Sequence, residues 1–346
     1  TKLKALLGQA APAAAPPGKA VDERYAALRA YAAPGGKAPV DDTLGLINAL
    51  QKQLATVAGA PPGGGAAPAI ASGPDPGALL QAEASQDPQP IARWLDELAF
   101  TSNVLRGAGA KKQAAGAFGG PGGPADLCRK AVDGRYPFFP GASKDIPLAD
   151  FARLFAPGGL LDKFFTAQIQ PFVDTSGPVW KAQAVQGVAA PVTPGALAQF
   201  QRASKIRDLF FAGGGAQPSV SFTIAPVSLD DKTSQVTLSL GAQTITYAHG
   251  PLRPTSVTWP GPQGMINARL VFEPAPKDGT GVLQASGPWS LFRLFDKGTL
   301  TPGASSYSFT LTFQSGDRHV EYELHADSVL NPFDPAVLRA FRCPGL

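Results

Sequence analysis

Apolar positions in this chain follow one period up to about Phe211 and a different one from Pro218 onward. Lys19 to Tyr31 places Val21, Tyr25 and Leu28 at helical spacing, with Asp22 and Glu23 in the first turn and Pro34-Gly35-Gly36 as a stop. Asp41 to Val57 repeats the pattern through Leu44, Ile47, Leu50 and Leu54 behind an Asp41/Asp42 cap. Gly59 to Pro76 has no periodicity and reads as a Gly/Ala/Pro linker. A third helix is predicted over Ile91 to Leu105, with Ile91, Trp94, Leu95 and Leu98 on one stripe. A flexible link over Gly107 to Pro124 and a short helix over Asp126 to Val132 follow.

Helical spacing resumes in an aromatic-rich stretch from Arg135 to Phe211. Leu148, Phe151, Leu154 and Phe155 form one face, ended by Pro157-Gly158-Gly159; Leu161, Phe164, Phe165 and Ile169 form the next. Thr193-Pro194 opens a further helix carrying Leu197, Phe200, Ile206 and Phe210, stopped by Gly213-Gly214-Gly215. These aromatics read as core.

Beyond Pro218 the period becomes two. The alternating sets are Val220/Phe222/Ile224, Val236/Leu238/Leu240, Ile245/Tyr247, Ile266/Ala268/Leu270/Phe272, Tyr307/Phe309/Leu311/Phe313 and Val320/Tyr322/Leu324. Turn signals separate them, and Trp289 to Phe295 fits a short inserted helix. The predicted fold class is α+β and multidomain: a helical, bundle-like region, then an antiparallel β-sandwich with one inserted helix. The expected divisions are an Ala/Pro/Gly-rich stalk segment over 1–125, a helical domain over 126–215, the sandwich over 216–330 and a closing segment over 331–346.

At 346 residues the chain can bury a sizeable core, and 44% hydrophobic residues set it apart from disordered chains. Its net charge of +4 is spread out, without the basic stripe that nucleic acid requires. No apolar run reaches bilayer length. The chain starts at Thr1 without a signal-peptide pattern and reads as cut from something longer. Cys128 and Cys343 match no metal-ligand spacing; by spacing alone, two buried thiols and one long-range disulfide are equally open.

Candidate chemistry is sparse. His319, Glu321, Glu323 and His325 share one face of a strand and could be drawn as metal ligands, but outward polar residues are what the alternation requires anyway. His249 belongs to the turn His249-Gly250-Pro251. Gly63-Gly64-Gly65 and Gly213-Gly214-Gly215 lack the lysine and helix of a phosphate loop. Neither catalytic, cofactor-binding nor metal-binding residues are assigned, so no enzyme is predicted. A second reading is a secreted carbohydrate- or cell-wall-binding sandwich using Trp259 or Trp289 as a platform.

The ordered motifs Gly134-Arg135-Tyr136-Pro137-Phe138, Phe155-Ala156-Pro157-Gly158-Gly159-Leu160, Pro171-Phe172-Val173-Asp174, Ile206-Arg207-Asp208-Leu209-Phe210-Phe211, Trp259-Pro260-Gly261, Gly287-Pro288-Trp289-Ser290-Leu291-Phe292-Arg293, Asn331-Pro332-Phe333 and Phe341-Arg342-Cys343-Pro344 closely resemble the C-terminal periplasmic region of the IcmF/TssM family of type VI secretion. The resemblance covers roughly Cys128 to Leu346. It implies a non-enzymatic scaffold in the periplasm, anchored in the inner membrane by upstream helices. Its implied partners are the outer-membrane lipoprotein TssJ, TssL and further copies of the family protein. A periplasmic setting also favours a Cys128–Cys343 disulfide. The lipoprotein surface is expected on sandwich turns bearing Asp230, Asp231 and Lys232, Lys277 and Asp278, and Asp317 and Arg318.

Overall fold

A computed structural model describes residues 19–33, 38–59, 74–305, 307–327 and 332–346. The expected Pro34–Gly36 stop, Gly63–Gly65 and Asn331 lie outside these residues, as does most of the Gly59–Pro76 linker. The chain forms two compact units, Thr1–Pro121 with Thr166–Pro194 and Leu346, and Gly122–Phe165 with Gly195–Gly345.

The first unit is built on helices α1 (Lys19–Tyr31), α2 (Pro39–Gly59), α3 (Pro76–Ala84) and α4 (Ile91–Gly119). Tyr31, Val40, Leu50, Leu80, Ile91, Leu95 and Ala99 form its core. Helix α3 was not expected, because only Leu79 and Leu80 mark it. It is started by Asp75, whose carboxylate accepts the Ala78 N–H at 3.2 Å, and by Pro76 in the first turn.

The expected flexible link after Leu105 is instead helical as far as Gly119. Ser102, Arg106, Ala110, Ala114 and Phe118 are buried every fourth residue, so a narrow stripe of small side chains holds α4 down. Alanine's helix propensity offsets the glycines. Trp94 and Tyr25, assigned to core stripes, are exposed. The middle of the buried stripe is polar. Arg106 Nη1 and Nη2 donate to the two Asp75 oxygens at 2.8 and 3.2 Å, with both side chains about 5% exposed or less. The Gln186 carbonyl accepts a further bond from Arg106 at 3.0 Å.

The second unit opens with α5 (Pro124–Val132), α6 (Leu148–Phe155) and α7 (Leu160–Phe164), and continues with α8 (Pro194–Phe210). β1 (Val173–Asp174) and β2 (Lys181–Ala182) pair as a hairpin in the first unit. The sandwich comprises β3 (Val220–Leu229), β4 (Gln235–Leu240), β5 (Gln243–Tyr247), β6 (Thr255–Trp259), β7 (Asn267–Glu273), β8 (Val282–Ser286), β9 (Thr299–Pro302), β10 (Ser308–Ser315) and β11 (Arg318–Ala326). One antiparallel sheet has the order β6-β3-β11-β10-β9 and the other β5-β4-β7-β8.

Registers follow the alternation: Leu311 lies opposite Tyr322, Phe313 opposite Val320, Val236 opposite Phe272, and Leu238 opposite Leu270. All eight of these side chains are fully buried. Three strands, β6, β8 and β9, escaped the alternation test. All three are edge strands, short and polar, and edge strands need only half of their surroundings to be apolar. Ile266 and Tyr307 are exposed because they precede the first paired residues of β7 and β10.

Helix α9 (Ser290–Phe295) fastens the sandwich to the helices of its own unit. Trp289, just before it, donates its indole N–H to the Ile146 carbonyl at 2.9 Å. Its ring lies 5.1 Å from Phe151 and 4.7 Å from Trp259, with Phe210 and Phe292 closing the cluster. Arg293 pairs with Asp145 at 2.5 Å and stacks over Tyr136, 4.1 Å from its ring centre. The Tyr136 hydroxyl donates to Asp296 at 2.9 Å; burial, then the Asp296 charge, push this phenol far above its ordinary pKa. After helix α10 (Pro335–Arg339), Phe341 packs against Phe138 and Phe155, and Cys343 forms a disulfide with Cys128 across 215 residues of sequence.

Candidate functional site

Three of the β-turns place the expected partner-binding residues at one end of the sandwich. The turns are 230–234 between β3 and β4, 274–281 between β7 and β8, and 316–317 between β10 and β11. Both sheets therefore contribute to this end.

Asp230 organises the first turn and ties it to the third. Its carboxylate accepts from the Thr233 hydroxyl at 2.7 Å, the Lys232 N–H at 2.9 Å and the His319 N–H at 2.8 Å. Burial alone would push this carboxyl up. The three donors outweigh it and hold the group below its ordinary value. Arg318 is buried beside it, its Nη1 3.8 Å from Asp230. Asp230 and Arg318 thus shape the turns from within.

The surface itself is carried by Asp231, Lys232, Lys277, Asp278 and Asp317, all exposed. Lys232 donates to Asp317 at 2.8 Å, and this bond holds the Asp317 carboxyl below its ordinary value. The second turn meets the third at Gly316, which has φ 58. A Cβ there would fall 2.6 Å from the Asp278 carbonyl, so the close approach requires glycine. His249, at φ 55, anchors the neighbouring loop by placing Nε2 2.7 Å from the Thr233 carbonyl. Spacing gave the turn residues, but the Asp230–His319 and Gly316–Asp278 junctions are long-range and left no local signal.

The other candidates fare differently. Trp259 and Trp289 are fully buried, so neither offers a platform for sugar. His319, Glu321, Glu323 and His325 do lie along the outer face of β11, with His325 3.2 Å from Glu323. Among the described residues, no three such side chains stand close enough to hold one metal ion. Beside α9 open two clefts of about 350 and 630 Å³, both lined by Tyr136 and Asp296. Their arginines are already engaged, Arg293 with Asp145 and Arg339 with Asp296. No described helix is long and apolar enough to cross a membrane.

Comparison with known proteins accounts for this combination of helices and sandwich. The Type VI secretion protein IcmF helical domain matches residues 125–216, and the IcmF C2-like domain matches residues 222–328. The Type VI secretion system component TssM1 of Pseudomonas aeruginosa is 41% identical over 216 residues, 62% of this chain. The chain spans only 20% of that relative's length. Among solved structures, the C-terminal domain of the type VI protein TssM from EAEC covers 63% of this chain and is itself 91% covered, with TM-score 0.52 and 24% identity. A chain of a type VI secretion system membrane core complex aligns over 99% of this chain and 77% of its own, with TM-score 0.67 and 17% identity. The last two show the fold alone; the two domain matches in chain order and the 41% relative establish that this chain belongs to the IcmF/TssM family and carries its C-terminal helical and C2-like domains.

Proposed function

We propose that this chain is a non-enzymatic periplasmic scaffold of a type VI secretion membrane complex, and that its sandwich binds the outer-membrane lipoprotein TssJ. In this reading residues 1–125 form a stalk, 126–215 a helical domain, 216–330 the lipoprotein-presenting sandwich and 331–346 a closing segment. The observation that carries it is the convergence of turns 230–234, 274–281 and 316–317 on one sandwich end, braced from within by Asp230 and Arg318. A rigid rim of exposed mixed charges over a packed base suits a protein partner better than a small ligand.

Binding of purified TssJ to the 346-residue chain tests this. Charge reversal at Asp231, Lys277 and Asp278 together is expected to weaken the complex at least about tenfold, with unchanged circular dichroism. Unchanged affinity in that variant moves the surface elsewhere.

A further inference from the structure

Strand β8 is one edge of the four-stranded sheet, and it lines the polar cleft of about 630 Å³ beside α9. Two bonds of 2.8 Å bracket its ladder with β7, from the Phe272 N–H to the Gly281 carbonyl and from the Gly287 N–H to the Ile266 carbonyl. Bonded pairs alternate along an antiparallel ladder. Leu283 and Ala285 therefore turn their main-chain groups toward β7, and Val282, Gln284 and Ser286 turn theirs outward. The Thr280 hydroxyl covers Val282, bonding its N–H and its carbonyl at 3.3 Å each. Nothing among the described residues bonds the outward groups of Gln284 and Ser286.

The other sheet edges are guarded. Gln243 of β5 donates through its side chain to the Ser256 carbonyl of β6 at 2.9 Å, and β9 ends in Pro302. Strand β8, Val282-Leu283-Gln284-Ala285-Ser286, carries neither charge nor proline, two devices that keep an edge from recruiting another strand. The wall that shares its cleft is held in place. Arg293 bonds both Asp145 and the Ala142 carbonyl, and Asp296 takes the Tyr136 hydroxyl and Arg339. Those charges cancel one another. Lys297, exposed in the same wall, has no acidic partner among the described residues, and Lys144, between the lining residues Ser143 and Asp145, is exposed as well. An incoming strand would find four main-chain hydrogen bonds, at two positions about 6.8 Å apart, beside an uncompensated positive charge. We propose that the β8 edge docks an extended acidic segment of a partner protein, which joins this sheet as a fifth strand and sets a carboxylate on Lys297. No residue of turns 230–234, 274–281 or 316–317 lines this cleft, so the lipoprotein reading stands or falls separately.

Fluorescence polarisation of the 346-residue chain with two labelled, end-blocked hexapeptides, TVEVET and TVKVKT, tests the proposal. The acidic peptide is expected to bind at least about tenfold more tightly than the basic one. Gln284→Pro removes an outward N–H and leaves the β7 bonds intact, so it is expected to weaken the acidic peptide at least about tenfold. Lys297→Glu is expected to abolish or invert the preference between the peptides. Amide hydrogen exchange over residues 282–288 of the unsubstituted chain should slow when the acidic peptide is bound, a readout that needs no variant to fold. Binding of neither peptide overturns the proposal, as does exchange that the bound peptide leaves unchanged. So does acidic-peptide binding that survives Gln284→Pro, or a preference that survives Lys297→Glu. A dimer of the chain alone that Gln284→Pro dissolves would put a second copy on this edge and overturn it too.

Discussion

Replacing Cys128 and Cys343 together by serine removes a cross-link that closes 215 residues of chain. On the loop-entropy relation, closure of that length restricts the unfolded chain by about 5 kcal/mol at 25 °C, with measured disulfides more commonly at about 2–4. The folded state has little reason to change. Phe341 stays packed on Phe138 and Phe155, Arg342 lies 4.4 Å from the Phe139 ring centre, and Arg339 pairs with Asp296 at 2.9 Å. The loss therefore acts through the unfolded state: unfolding becomes easier while native spectra persist. Urea unfolding followed by tryptophan emission suits the test, because Trp259 and Trp289 are fully buried in the second unit. The double variant is expected to unfold at lower urea by the equivalent of about 2–5 kcal/mol, with a steeper slope because the uncrosslinked chain exposes more surface. Coincident midpoints would refute the reasoning, as would a native spectrum already altered before urea is added. The first result would mean that the unfolded chain is not restricted by the bond, the second that the bond itself holds the native packing.

Other expectations follow from single buried groups. Arg106→Met leaves the Asp75 carboxylate buried without its partner and should cost the first unit about 3–5 kcal/mol by thermal or urea unfolding. Tyr322→Phe removes a buried hydroxyl that has no hydrogen-bond partner among the described residues, so stability should be unchanged or slightly higher; a clear loss would reveal a partner for that oxygen. The folded-state pKa of Asp230 is depressed, so its contribution is complete above the ordinary carboxylate pKa and is lost as pH falls through the folded value. Asp230→Asn should therefore flatten the acid side of the second unit's stability profile while lowering its stability at neutral pH.

Local pattern decided the elements wherever burial is one-sided and sustained. The helices carrying Phe151, Phe164 and Phe210, the central strands β3, β4, β7, β10 and β11, and the change from helical to strand period were all legible in the order of the residues. Periodicity reports a face buried along its whole length, and these elements have one. It failed where tertiary contacts supply the burial. Helix α4 persists through its glycines because Arg106, Ala110, Ala114 and Phe118 find a close-packed seat, and small side chains give almost no hydrophobic signal before that seat exists. Edge strands β6, β8 and β9 are strands because a neighbour offers hydrogen bonds, which their own side chains do not announce. Family motifs brought Cys128 and Cys343 together in expectation; their spacing alone left the pairing open. That Trp289 reaches Ile146, and that three distant turns share one end through Asp230 and Gly316, depends on how two sheets stack and cross. Side-chain pattern encodes which face of an element is dry; only the packed structure determines what that face meets.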